Sequence, residues 1–165
     1  MSFGFSVGDF VGVASLAHQL YNDIYLVARG APEELQLLNS DIGFLALSID
    51  LLIQQVKDKD STLVQAGQSR MRMVGEVMKA ANATLKDLEL FANRYNFNSS
   101  SARKGKKIWD RVKFATEVKS IAALRTRIET HNARMNLLLT SAGKSVVSPF
   151  ALHFSDHTQF ILGAH

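Results

Sequence analysis

Cysteine is absent from this 165-residue chain, and proline occurs only twice, at Pro32 and Pro149. No disulfide framework and no thiolate metal site can form, which suits a reducing compartment. Between the two prolines nothing forbids long unbroken helices. Runs rich in Val, Ile and Thr between hairpin turns are missing as well, which argues against a sheet. No basic residue precedes Arg29, so the N-terminus lacks the cationic lead of a secretory signal. The longest uncharged stretch, Phe10 to Asn22, falls short of the about 20 apolar residues that span a bilayer. A protein soluble at rest is expected.

Recognisable catalytic chemistry is missing too. There is no Walker loop, no G-x-S-x-G elbow and no dinucleotide fingerprint. Ser101 and Lys104 make a bare S-x-x-K, but in a polar loop and without companion motifs. The five histidines, His18, His131, His153, His157 and His165, show no zinc spacing. His18 and His131 are expected to be half-buried helix residues. The chain reads as a non-enzyme with no cofactor and no metal.

What the sequence does have is helical periodicity. Ser6 and Asp9 stand at capping-box spacing and predict a helix from Val7. Phe10, Ala14, Ala17, Tyr21, Ile24 and Ala28 form its core stripe, ended by Arg29-Gly30-Ala31-Pro32. A second helix, about Pro32 to Lys57, has Glu33 and Glu34 in its first turn and Lys57 in its last, as the helix dipole favours. Its stripe is Leu35, Leu38, Ile42, Leu45, Ile49, Leu52 and Val56, widened by Leu37, Leu47 and Leu51. A third helical region starts at Ser61, with Gly67 as an early break, and reaches about Tyr95 along Val74, Val77, Ala81, Leu85, Leu88 and Ala92. After the loop NFNSSSARKG, a fourth helix is expected over about Lys106 to Ala142, through Phe114, Val118, Ile121, Ile128, Met135 and Leu138. The tail from Lys144 has no period. The expected fold is all-α: an antiparallel four-helix-type bundle over residues 1–143, with 144–165 a short irregular strap or a linker to a further domain.

Two features exceed what a bundle needs. Gly4, Gly8 and Gly12 fall on one line of the first helix, opposite its core stripe, and Ser15 and Gln19 continue that line. Close packing of another element of the bundle is the more economical reading; helix approach within lipid, where small-xxx-small ridges serve, is the sharper one. The segment ARKGKKIWDRVK carries Arg103, Lys104, Lys106, Lys107, Arg111 and Lys113 against the single acid Asp110. The local excess of five exceeds the net +4 of the whole chain. Cations at the start of a helix oppose its dipole, so helix stability does not account for them. A solvated loop and an anionic lipid surface both do. With Trp109 its one aromatic, the patch has no nucleic-acid motif, and nucleic acid is not expected.

The opening MSFGFSVGDFVGVASLAHQLYNDI resembles the start of the HeLo-like N-terminal domains of fungal cell-death and signalling proteins. KKIWDRVKFATEVKSIAALRTRIETHNARMNLLL resembles the late helix of the same domains. The resemblance spans about residues 1–142. It implies a helical bundle, distantly like necroptotic and plant immune bundles, that executes programmed cell death or heterokaryon incompatibility by oligomerising and inserting its N-terminal helix. It points to Phe3, Gly4, Phe5, Val7, Gly8, Phe10, Val11, Gly12, Val13, Leu16 and Leu20 as the inserting residues. Asp9 would then be either a lumen carboxylate or a plain helix cap, and the six basic residues the anionic-lipid contact. The expected partners are anionic membrane lipids, further copies of the chain and an upstream signalling protein. The expected location is cytoplasmic at rest and the plasma membrane on activation. The alternative is a non-lytic helical module for protein interaction or self-association.

Overall fold

The computed structural model describes residues 6–29, 31–97 and 118–143. They form four long helices and one short one: α1 Val7–Ala28, α2 Glu33–Lys57, α3 Thr62–Gln65, α4 Gln68–Arg94 and α5 Val118–Ser141. No strand occurs among the described residues. The expected all-α bundle is what the chain builds. The strap at 144–165 and the part of the expected fourth helix before Val118 lie outside the described residues.

Local chemistry explains the boundaries. The Ser6 side chain accepts from the Asp9 backbone N–H while the Asp9 carboxylate takes the Ser6 N–H, so both halves of the predicted capping box are present. Pro32 is the N-cap of α2, where its missing N–H costs nothing. Gly67 does break the third region. With φ at 91° it adopts a conformation that side chains resist, and it separates the single turn of α3 from α4. At the far end of α4, Asn96 turns the chain with φ at 55°. That reversal lays Phe97 back on the core, its ring edge-on to Phe91 with centroids 5.9 Å apart.

Consecutive long helices run antiparallel, but they do not all touch. Each of α1 and α5 packs against both α2 and α4, so α2 and α4 lie across a diagonal. The connection holding α3 therefore crosses one end of the bundle, and buried Leu63 closes that end. The core is continuous. Phe10, Ala17, Leu20 and Ile24 of α1 meet Leu35, Leu38, Ile42, Leu45, Ile49 and Leu52 of α2, with Val74, Met78, Leu85, Ile121, Ile128 and Met135 from the other pair. Burying a side chain of this size stabilises by about 1.5–3 kcal/mol. Leu47, expected to widen the α2 stripe, is instead 54% exposed, because the stripe already fills the width that α1 and α5 cover.

Candidate functional site: the outer side of the first helix

α1 is apolar on more than one side. Its core face holds Phe10, Val13, Ala14, Ala17, Leu20, Ile24, Val27 and Ala28, all buried. Its outer side holds Val7, 41% exposed, and Val11, 47% exposed, beside Gly8 and Gly12. Leu16 is half-buried. Of the residues expected to insert, Phe10, Val13 and Leu20 are thus core residues in this state, while Val7, Gly8, Val11 and Gly12 face outward. Phe3, Gly4 and Phe5 lie outside the described residues.

At Gly8 and Gly12 the economical reading of the glycine ridge finds no packing partner among the described residues, and Gly4 lies outside them. A Cβ built on Gly12 would meet nothing within 4 Å, and one on Gly8 would meet only Ser6 Oγ, at 3.5 Å. No element of the described bundle packs there. The ridge lies opposite the core stripe, and a bundle helix has one core to face. Asp9 is exposed and sits in the cap, 2.9 Å from Ser6 Oγ. The backbone hydrogen bond from Ser6, helped by its hydroxyl, holds the Asp9 carboxyl below the usual carboxylate range.

The inner side of α1 is held by a close approach. A Cβ on Gly43 of α2 would stand 2.8 Å from Tyr21 Cε2, so the ring lies where any other residue would put its side chain. At the water's edge of the same seam, His18 Nε2 lies 2.8 Å from Asp50 Oδ2. His18 is exposed rather than half-buried as expected, its imidazole reaching outward to that carboxylate.

The α2–α5 seam is polar further in, at partly buried positions. Arg125 Nε donates to Asp41 Oδ2 at 2.9 Å and its Nη2 lies 2.9 Å from Glu129 Oε1. Asn132 Nδ2 donates to the Asp41 carbonyl at 3.0 Å. Burial raises the Asp41 carboxyl above its usual range and outweighs the opposing pull of Arg125. The Asp41 hydrogen bond in turn raises Arg125, which stays charged. Ser48 Oγ and the side-chain oxygens of Asn132 and Asn136 are buried with no partner. This polar seam was not legible in the sequence, because its partners stand far apart along the chain.

A cleft of about 420 Å³ opens beside the end of α1, lined by Tyr25, Ala28, Arg29, Gln36 and Asn39. It brings no nucleophile to a base. Among the described residues no three histidine, aspartate or glutamate side chains stand together as a metal site would need. The basic residues Arg103, Lys104, Lys106, Lys107, Arg111 and Lys113, like His153, His157 and His165, lie outside the described residues. By length and apolar character one described helix suffices to cross a membrane, and it is α2, not α1. Its apolar stripe is the bundle core, which meets the same test without any membrane. Comparison with known protein families, characterised proteins and solved structures finds no match.

Proposed function

We propose that the chain is a helical executioner module of the HeLo-like kind, which on clustering releases α1 from the bundle and inserts it into an anionic membrane to permeabilise it. The observation that carries this reading is the outward side of α1. From Val7 to Ala17 the helix has one ionisable side chain, Asp9, and its exposed side is otherwise Val7, Val11, Ser15 and the bare glycines Gly8 and Gly12. Detached from α2 and α4, this segment would be apolar on nearly every side, the character of a helix that needs protein or lipid around it. The glycines would let copies approach closely in lipid. Asp9, held at the helix end by its cap, would lie where a ring of copies places a carboxylate at a pore mouth. The basic segment 103–113 would supply the attraction to anionic headgroups. The protein would be cytoplasmic at rest and at the plasma membrane once an upstream signalling protein gathers it.

A second reading has an observation of its own. The inner face of α1 is committed to the core, with Ala17, Ile24 and Val27 fully buried and Tyr21 seated on Gly43. A bundle so closed would serve as a non-lytic interaction or self-association module. Dye release from liposomes with and without anionic lipid separates the two. Membrane execution requires release that depends on anionic lipid, weakens with salt as the Debye length shortens, and is lost when Arg103, Lys104, Lys106 and Lys107 are changed to glutamate. Intact liposomes of every composition, with the protein folded and clustered, assign the chain to the second reading.

A further inference from the structure

We propose that His131 is an acid-responsive release point in the α4–α5 seam. His131 is 6% exposed as a residue, and its Nε2 lies 2.8 Å from Thr84 Oγ1 across the seam. The Thr84 hydroxyl also lies 3.3 Å from the Ala80 carbonyl one turn earlier on α4. The hydroxyl has one proton to give. Given to that carbonyl, it leaves Thr84 as the acceptor from Nε2–H, and the ring then shows a bare lone pair at Nδ1. Nδ1 is fully buried and has no partner. This tautomer is tolerable, since an unused acceptor costs less than a buried donor without an acceptor.

A second proton has nowhere good to go. It would sit on Nδ1 as a buried donor facing no acceptor, and it would add a charge among cations. Arg127 and Arg134 on the same helix both oppose it, after the larger penalty of burial itself, so the ring is held below the ordinary histidine range. Among the described residues, two carboxylates that the packed helices bring to this helix are already engaged. Asp87 of α4 takes Arg127 at 2.7 Å, and Asp41 of α2 takes Arg125 at 2.9 Å. The short α3, Thr-Leu-Val-Gln, carries no charge. The sign follows from linkage. The unfolded chain takes up the proton near pH 6.5, before the folded chain does, so stability is full above that pH and declines as pH falls towards the folded-state value. The proposal concerns α4 and α5 alone and stands whether or not α1 enters membranes.

The experiment compares the full chain with His131→Gln, following thermal melting and backbone hydrogen exchange from pH 7.5 to 5. The wild type should lose melting temperature in this range by more than the variant does. Protection factors in the middle of α4 and α5 should fall by about tenfold for each unit by which the histidine is depressed, with α1 and α2 less affected. The His131 ring, followed by NMR in the wild type, should titrate below the ordinary value. That titration decides the question even if the variant does not fold. A His131 ring titrating at or above pH 6.5, or equal acid losses in both proteins, would overturn the proposal.

Discussion

Tyr21 of α1 lies on Gly43 of α2 so closely that a methyl group at residue 43 would stand 2.8 Å from its Cε2 atom and 3.0 Å from Cδ2. The contact fixes how near the first two helices come, and it sits inside the seam that would have to open for α1 to leave. Tyr21 was legible as part of the α1 stripe. Its partner was not, because a glycine inside a leucine-rich helix gives no period.

Gly43→Ala is expected to push the ring and part the seam. Overpacking of this kind costs typically 1–3 kcal/mol, against an intrinsic helix gain of about 1 kcal/mol for alanine over glycine. The expected net result is a lower melting temperature, relieved when Tyr21→Ala is added, and a positive coupling in the double-mutant cycle. If α1 release is the activating step, the single variant should also permeabilise anionic liposomes at a lower concentration than the wild type.

The glycine ridge should respond in the opposite way. Gly12 has open space where a side chain would be, and Gly8 has only an ordinary contact with Ser6. Gly8→Leu with Gly12→Leu should therefore keep or raise the melting temperature, each change adding less than about 1 kcal/mol of helix propensity. The same pair should abolish dye release if the bare ridge is where copies meet in lipid. Full release by the stable double variant would remove the ridge from the mechanism.

Arg125 is expected to matter more than its partner. Arg125→Ala leaves the Asp41 carboxyl partly buried and unpaired, whereas Asp41→Asn leaves Arg125 with Glu129 at 2.9 Å. The pair retains some solvent, so the loss for Arg125→Ala should be about 1–3 kcal/mol, below the 3–5 of a fully buried pair. Because burial raises the Asp41 carboxyl, acid should neutralise it readily in the folded arginine variant and return part of that loss. Urea denaturation at pH 7 and pH 4 checks both statements.

The helices were readable because three of their starts are written in caps and punctuation: Ser6 with Asp9, Pro32 with its acidic turn, and Gly67 after Ser61. Their core faces followed from spacing. What spacing could not give is which helix neighbours which. The diagonal of α2 and α4 depends on how the connection through α3 crosses the bundle end, and buried Leu63 is a short-range sign of it at best. The same blindness hid the pairs across seams, His131 with Thr84 and Arg125 with Asp41, whose members are far apart in sequence. His131 is buried rather than half-buried for this reason: Thr84 offers the polar contact that lets the ring sit inside. Spacing alone leaves the glycine ridge open between close packing and exposure; at Gly8 and Gly12 no described element packs on it, because a line opposite the Phe10–Ala17–Ile24 stripe faces away from the core.

Whether α1 leaves the bundle for lipid is best read at Val11, on its outward side. The chain has no cysteine, so Val11→Cys offers a unique site for an environment-sensitive dye. The labelled protein, carrying a C-terminal histidine tag, is clustered on phosphatidylserine vesicles that contain a nickel-chelating lipid, and a second sample is labelled instead through Ala17→Cys, on the core face. Release of α1 into the membrane requires that the Val11 dye shift to the blue and be quenched by lipid-borne quenchers in step with leakage of the vesicle contents. The Ala17 dye should become quenchable on the same time course. A Val11 dye that stays in water, with an Ala17 dye that stays shielded from the lipid quenchers while the vesicles remain intact, would contradict insertion and leave the closed bundle as the working form of the protein.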